Sequence, residues 1–372
     1  MEHSNKDMVV HMTENTQKYV INAGLFGAVG TLWAGAPSSI SPFQYGKIQV
    51  PGTEEKQALS EAGICDAGGQ ILAAARPALD VLGTAHAFTR VYLSGSQIPS
   101  EFVVYFAPNG AMASLINSGG DMQINFPAAA DLFVEMVAQG IGSSIYHSVP
   151  FEATLTPDEG VVLAGMIDLQ RKQALKSIAD EQASAVVESD LPTLLRLSSR
   201  KVDNTQWLSN VLLDLLSLEG ILSIEQVRAA AESLVQKGYA LKNPATYRLS
   251  DVTLALARRM LIFDTALTLT SGYVGKSGAL SVVGFTCLQA GIHDLLLIDA
   301  GEDAVTLQSV SSAGIIDSVQ TYFTDLHTLE KMESAPGAKP AVSSQRRKFC
   351  PQCGSALPSA KKFCPQCGAK IS

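Results

Sequence analysis

Two copies of one seven-residue sequence, Lys-Phe-Cys-Pro-Gln-Cys-Gly, lie near the C-terminus of the 372-residue chain. They begin at Lys348 and Lys362, so four cysteines follow the pattern C-x2-C, ten residues, C-x2-C. Two close pairs of thiolates match the ligand set of a tetrahedral structural Zn²⁺ site. A segment of about 25 residues cannot bury a core of its own. Bound metal must therefore supply the free energy of folding, on the order of 10 kcal/mol or more.

This segment resembles the short bacterial zinc-ribbon family, whose members carry two knuckles of the type Cys-Pro-x-Cys-Gly. The resemblance implies that Cys350, Cys353, Cys364 and Cys367 bind one Zn²⁺ ion. Four protein ligands leave no open coordination position, which indicates a structural rather than a catalytic ion. A disulfide pair, a redox C-x2-C motif and an iron site of the rubredoxin kind are the alternatives.

The charge of the chain is unevenly distributed. Residues 331–372 contain eight Lys or Arg and a single acid, Glu333, which gives a net charge of +7. The rest of the chain holds 19 of the 27 basic and 34 of the 35 acidic residues, a net charge of −15. Such an acidic body is a poor partner for nucleic acid or an anionic membrane. Residues 331–347, rich in Pro, Ala, Ser and Lys, are predicted to form a disordered linker.

The other cysteines and the N-terminal region favour a cytoplasmic protein without a membrane span. Cys65 and Cys287 lie in apolar stretches, which is typical of free buried thiols. The uncharged run 19–37 follows several acids and is interrupted by four glycines. We therefore expect a packed, glycine-rich segment there rather than a signal peptide or membrane anchor.

The body contains a second, weaker repeat. The turn signal Asn109-Gly110 lies within a run of predicted strands. The first copy consists of strands 89–96, 101–107, 111–117 and 122–126 and a helix that Pro127 opens. The second consists of strands 265–272, 279–286, 293–299 and 304–308 and a helix over 313–329. Upstream of each copy lies a helix end that stops at a glycine, at 56–64 for the first copy and at 231–239 for the second. A further helix, over 73–88 or 252–263, then leads into each copy.

The repeat predicts an α+β fold made of two tandem modules, each an antiparallel meander with helices. The two modules would pack about a pseudo-two-fold axis, as one wide sheet or as two sheets back to back. Chance similarity between two α+β segments is the alternative. The predicted order is an N-terminal segment (1–55), a first module (56–150), a helical connector (151–225), a second module (226–330), the linker (331–347) and the zinc ribbon (348–372).

Residues 50–330 also resemble, in architecture alone, the EspG family of type VII secretion chaperones. That resemblance implies a cytosolic protein that holds a helical secreted partner through an exposed apolar helix or sheet edge. It assigns no partner-binding residue in this chain. Together with the ribbon, it favours a non-enzymatic protein-binding adaptor or chaperone.

Two other functions stay open at the level of sequence. Residues 223–250 have the order of the end of a winged helix, which would suit a nucleic-acid-associated regulator that also uses the basic tail. An enzyme with a site between the two modules is the other alternative, although no catalytic constellation is recognisable. The acidic turns 118–121 and 299–303 are interpreted as capped turns, with cation binding as the alternative.

Overall fold

A computed structural model describes residues 16–44, 50–95, 100–118, 120–142, 144–146, 149–199, 206–216, 222–275, 278–291, 293–301 and 303–324. This part of the chain is mixed α+β, with a large antiparallel sheet, a small three-stranded sheet and ten α-helices. The predicted linker and zinc ribbon, with all four predicted zinc ligands, lie outside the described residues.

The elements follow one another along the chain in a mixed order of helices and strands. The strands of the large sheet are β1 (Gln17–Asn22), β2 (Ala87–Gly95), β3 (Ser100–Phe106), β4 (Met112–Ser118), β5 (Asp121–Phe126), β6 (Glu152–Leu155), β10 (Thr265–Val274), β11 (Leu280–Ala290), β12 (Asp294–Ala300) and β13 (Val305–Val310). The strands of the small sheet are β7 (Glu188–Ser189), β8 (Ala240–Lys242) and β9 (Tyr247–Leu249). The helices are α1 (Phe26–Trp33), α2 (Thr53–Glu61), α3 (Arg76–Thr84), α4 (Ala130–Ile141), α5 (Pro157–Ala179), α6 (Leu191–Ser199), α7 (Leu208–Leu215), α8 (Ile224–Gln236), α9 (Asp251–Arg259) and α10 (Ser312–Thr324).

The large sheet has the strand order β1-β5-β4-β3-β2-β10-β11-β12-β13-β6, and each neighbouring pair is antiparallel. At each edge of the sheet lies a single strand, β1 or β6, and next to it lies a meander of four consecutive strands, β2 to β5 or β10 to β13. The innermost strands, β2 and β10, pair with each other, and Val91 lies opposite Leu269. The sheet therefore takes strands from all four segments into which the sequence divides the body.

The pairing registers of the two halves also agree. Leu115 pairs with Ile124 in the β4–β5 hairpin, and Ile298 pairs with Leu307 in the β12–β13 hairpin. A single shift of 183 positions therefore relates β4 to β12 and β5 to β13 (298 − 115 and 307 − 124). The shift also relates the β3–β4 register to the β11–β12 register.

Helices α4 and α10 cover the middle of one face of the sheet, which we call the back face. Each helix buries one residue in every four against the strands, as expected for an amphipathic helix. Phe133 of α4 stacks on Phe102 of β3 at a ring-centroid distance of 5.0 Å and on Phe323 of α10 at 5.6 Å. The buried positions are Phe133, Val137 and Ile141 on α4 and Ile315, Val319 and Phe323 on α10.

Two separate groups of helices cover the other face, which we call the front face. Helices α1 to α3 form a core with β1, β3, β4 and β5, in which Val29, Leu79 and Ile124 are completely buried. Helices α5 to α9 form a second core with β6, β11, β12 and β13. The two cores lie over opposite halves of the sheet.

Capping residues define the starts of α5 and α8. Thr156 caps α5 through the N–H of Glu159, and the Glu159 carboxylate accepts from the N–H of Thr156, so the pair forms a capping box. Ser223 and Gln226 form the same arrangement at the start of α8. The apolar faces of both helices enter the core of the second front-face group.

Some sequence predictions were wrong in detail. The helix after β5 begins at Ala130 rather than at Pro127, because Ala129 is still extended and the N–H of Ala128 bonds to the carbonyl of Met112. Gly272 does not end its strand, since β10 continues to Val274. His293 precedes β12 rather than lying within a strand.

The two acidic turns are similar in sequence, but the leucines that precede them lie on opposite faces of the sheet. Aligning Leu-Ile-Asn-Ser-Gly-Gly-Asp (115–121) with Leu-Ile-Asp-Ala-Gly-Glu-Asp (297–303) would place Leu115 and Leu297 at equivalent positions. Leu115 points into the front-face core under α1 to α3, whereas Leu297 packs in the back-face core. A shift of one residue moves a side chain to the other face of a sheet. The shift of 183 positions instead relates Leu115 to Ile298, which is buried in the other front-face core.

Candidate functional site

The described residues contain no group of three or more His, Cys, Asp or Glu side chains that could hold a metal ion. Cys65 and Cys287 are buried, and burial raises the pKa of both thiols, most strongly at Cys287. His86 contacts the carbonyl oxygen of Phe106 through Nδ1 at 2.9 Å. The four C-terminal cysteines lie outside the residues that the structure describes.

One contact between a serine and a histidine occurs in the described part of the chain. The Nδ1 atom of His293 lies 2.8 Å from Oγ of Ser144. Ser144 is also engaged by Ser312, whose hydroxyl donates to the Ser144 carbonyl oxygen, and by the N–H of Ala313. These bonds attach the segment after α4 to the start of α10, which is a structural role.

The middle of the front face is a partly exposed strip between the two helical groups. One row of directly paired residues crosses all ten strands, and the character of its side chains changes from the edges of the sheet to the middle. Its outer members, such as Ile21 at one edge and Ala153 at the other, are buried in the two front-face cores. Its central members are polar or aromatic: Thr286, Thr268, Tyr92 and Glu101.

Several side chains of this central strip remain accessible to solvent. We define the strip by Arg90, Tyr92, Glu101, Thr268, Thr270 and Val282, which lie on β2, β3, β10 and β11. Tyr92 is 39% exposed, and the side chain of Arg90 is 38% exposed. The other four residues of the strip are half-buried.

Hydrogen bonds and one ion pair order the strip. Arg90 and Glu101 form a salt bridge between neighbouring strands, with 2.6 Å between Nη2 and Oε1. The hydroxyls of Thr268 and Thr286 lie 3.2 Å apart. Glycine at position 284 keeps this part of β11 close to β10, because a Cβ atom there would lie 2.2 Å from the carbonyl oxygen of Leu269. The strip thus presents both apolar and polar groups, some of which are held by hydrogen bonds.

The two acidic turns do not meet. Strand β4, which precedes the first turn, runs parallel to β2. Strand β12, which precedes the second turn, runs parallel to β10. Because β2 and β10 are antiparallel, the turns lie at opposite ends of the sheet. They cannot form one common cation site.

Helices α5, α6 and α8 pack against one another, and α8 also contacts β8 of the small sheet. The small sheet has the order β7-β9-β8, and α8 precedes the β8–β9 hairpin. Two basic side chains near this hairpin are already in ion pairs. Lys242 bonds to Glu232 at 2.8 Å, and Lys237 bonds to Glu159 at 2.6 Å. This charge pattern does not resemble the basic recognition helix of a DNA reader.

Two further features describe the surface. A cavity of about 40 Å³ lies between α4 and β4–β5 on the back face, and Ile116, Leu132 and Met136 are among its lining residues. This volume accommodates a water molecule or the tip of a side chain.

In the part of the chain that the structure describes, every helix is too short or too polar to cross a bilayer.

Comparison with known proteins adds one finding. The family model of a zinc-ribbon domain matches residues 349–371. A zinc-ribbon domain is therefore present at the C-terminal end of this sequence, and the match implies zinc binding. No curated protein matches the chain.

The donor set of the segment fits this metal. Two C-x2-C pairs supply four thiolates, which is a common tetrahedral set for structural zinc. The assignment of Cys350, Cys353, Cys364 and Cys367 as the ligands of one ion remains a prediction.

Sequence reasoning found the ribbon but not the central strip. The strip joins residues that are far apart in the chain, and it exists only because β2 pairs with β10. The sequence signal for the strip was the alternation of side chains along two predicted strands. Arg90 and Tyr92 on one strand, and Thr268 and Thr270 on the other, put polar or amphipathic residues at positions that a sheet covered on both faces would fill with apolar ones.

Proposed function

We propose that the protein is a non-enzymatic, protein-binding adaptor of the secretion-chaperone kind, in which the body binds a helical partner and the zinc ribbon is a second interaction module. The observation that carries this proposal is the central strip. It combines an exposed tyrosine, Val282 and an ordered ion pair between two packed helical groups. Aromatic and Arg side chains are enriched where proteins bind each other.

The symmetry of the sheet supports a helical pair as the partner. The shared register shift and the mirrored strand order support a duplication in which each half begins at its edge strand, β1 or β6. In such an arrangement a pseudo-two-fold axis passes near Val91 and Leu269, between the innermost strands. Two antiparallel helices have the same approximate symmetry, so one helical hairpin presents related surfaces to both halves.

The likeness to EspG-type chaperones belongs to this proposal and is architectural. Two related sheet-and-helix halves and a helical partner are its common elements. A cytoplasmic location and a single structural Zn²⁺ bound by the four C-terminal cysteines are parts of the same proposal. The free thiols Cys65 and Cys287 suit a reducing compartment.

A nucleic-acid-associated regulator is the second candidate, and the winged-helix-like packing of α5, α6 and α8 favours it. Its weakness is electrostatic, because Lys237 and Lys242 form ion pairs within the body. Binding to nucleic acid would weaken steeply as salt increases, whereas binding to a helical protein through the strip would not.

The experiment is affinity purification from the native host with full-length protein and a form truncated after Leu329. Two substitutions are compared, Tyr92→Asp in the strip and Ile178→Asp on α5, where the side chain is 62% exposed. We expect both forms to recover a helical protein, Tyr92→Asp to lose it and Ile178→Asp to retain it. Equal recovery by the two substituted proteins, or recovery of nucleic acid alone, would refute the proposal.

A further inference from the structure

The outer side of the back face is acidic. Asp131 and Glu135 lie one turn apart on the exposed side of α4, and Asp317 is exposed on α10, which packs beside α4. Neither helix contains a Lys or Arg residue. Two exposed acidic residues on other helices, Asp80 and Glu232, form ion pairs with Arg76 and Lys242.

The basic part of the chain follows α10 in the sequence. Helix α10 ends at Thr324, and residues 331–372 carry the net charge of +7. Four thiolates around one Zn²⁺ would reduce this to about +5, since they contribute −4 and the ion +2. We call residues 331–372 the basic arm.

The arm has sufficient length to reach α4 and α10. Twenty-six positions separate Thr324 from Cys350, the first cysteine of the ribbon. An extended chain of that length spans up to roughly 85–95 Å. The twelve residues of α4 span only about 18 Å along the helix axis. Connection through α10 also keeps the arm at an effective concentration that reaches the millimolar range for short flexible linkers.

We propose that the basic arm docks on the back face of its own chain, against the exposed acidic side of α4 and α10. Opposite charges drive this contact, and the cavity lined by Leu132 and Met136 offers an adjacent apolar site for one side chain of the arm. Exposed charge pairs are individually weak and are screened by salt. The docked state therefore depends on several pairs together and on the covalent connection.

The first test is carbodiimide cross-linking of the zinc-loaded full-length protein, which joins Lys to carboxylate side chains in direct contact. A mixture of isotopically light and heavy chains separates links within a chain from links between chains. We expect intrachain links from the arm to Asp131, Glu135 and Asp317, and their loss at about 1 M salt, where the Debye length is about 3 Å. Links spread evenly over other exposed acids, or links mainly between chains, would overturn the proposal.

The second test uses charge reversal and a readout other than cross-linking. The substitutions Asp131→Lys, Glu135→Lys and Asp317→Lys repel a basic arm, so trypsin should cleave at 346–348 several times faster than in the native protein. A control carries the same change in charge elsewhere: Glu54→Lys, Glu61→Lys and Glu225→Lys, all at exposed positions. We expect native cleavage rates for the control. Equal rates in all three proteins would contradict docking at the back face.

Discussion

Asp168 and Arg171 form a buried ion pair on α5, with 2.8 Å between Oδ1 and Nη1. Both side chains are almost completely buried, and the carboxylate also accepts from the N–H groups of Leu208 and Ser209 and from the hydroxyl of Ser209. Burial raises the pKa of the Asp168 carboxyl, and these donors together with the guanidinium oppose that shift. The pair joins α5 to the start of α7.

Arg171 extends the same connection toward the sheet. It donates to the carbonyl oxygens of Gln206 and Leu261, and its guanidinium carbon lies 3.9 Å from the centroid of the Phe263 ring. Phe263 lies just before β10, one of the two innermost strands. This network therefore links the helical connector to β10, one of the four strands of the central strip.

Removing one partner of this pair should destabilise the protein strongly. We expect Asp168→Ala to lower the free energy of unfolding by about 3–5 kcal/mol, because it leaves a buried guanidinium without its counter-charge. Urea unfolding followed by far-UV circular dichroism measures the change. Lys242→Ala, which breaks the exposed Lys242–Glu232 pair, is the control and should leave the midpoint close to that of the native protein. If the Asp168→Ala variant unfolded at the same urea concentration as the native protein, the pair would not hold the connector in place.

The aromatic stack on the back face is a second sensitive point. Phe133→Ala removes the ring between Phe102 and Phe323 and leaves a cavity where α4, α10 and β3 meet. We expect a loss of about 3–5 kcal/mol in the free energy of unfolding. Gln139→Ala, at an exposed position of the same helix, should change it little. Similar thermal unfolding curves for the two variants would contradict this packing.

The stability contributed by Glu159 should depend on pH. Burial acts to raise the pKa of this carboxyl, but hydrogen bonds from Lys237, Ser233 and the Thr156 N–H outweigh it and lower the pKa. A lowered pKa in the folded state stabilises the protein above the unfolded-state pKa of about 4.3, and this stabilisation is lost as pH falls through the folded-state pKa.

The test compares Glu159→Gln with the native protein. Glutamine preserves the capping box with Thr156 but cannot carry the charge. We expect the native protein to unfold at a higher urea concentration at neutral pH, and the difference to shrink below about pH 4. Glu54→Gln, at an exposed site, controls for the loss of one carboxylate. A difference that stays constant with pH would show that the charge of Glu159 is not responsible.

Zinc should be bound by the ribbon and should leave the body unaffected. Replacing Cys350 and Cys364 by Ser removes one thiolate from each predicted pair. We expect elemental analysis to find about one zinc per native chain and almost none in this variant. The unfolding midpoint of the body should not change. Retention of zinc by the variant would show that these cysteines are not ligands.

The two thiols of the body should resist modification. Cys65 and Cys287 are buried, and burial raises the pKa of each, so little thiolate is available to react. In a variant with all four ribbon cysteines replaced by Ser, we expect Ellman's reagent to label no thiol quickly until urea unfolds the protein, and then two. Rapid labelling in the folded state would contradict the burial of these side chains.

The parts of the fold that depend on local signals were predictable from the sequence. Thr156 and Ser223 begin helices because their hydroxyls bond to nearby N–H groups, and Asn109-Gly110 forms a turn with Gly110 at φ 82°. These interactions join residues three or four positions apart. The four-strand meanders could be recognised for the same reason.

The features that depend on distant contacts were not predictable. Strands β1 and β6 contain six and four residues, and each is added to the sheet edge by pairing with residues 99 or more positions away. The central strip requires pairing between β2 and β10. Leu115 and Leu297 begin similar stretches of sequence but lie on opposite faces of the sheet, which depends on strand pairing and not on the local sequence.

The central claim is that the strip binds a helical protein partner, and a photo-cross-linking measurement tests it most directly. A photoreactive phenylalanine analogue replaces Tyr92 in the tagged full-length protein in its native host, and a second protein carries the analogue in place of Ile178. After irradiation, mass spectrometry identifies the attached peptides. The account predicts that position 92 becomes linked to a helical segment of one partner protein while position 178 does not. Links to that partner from position 178 alone, or no protein linked at position 92, would contradict it.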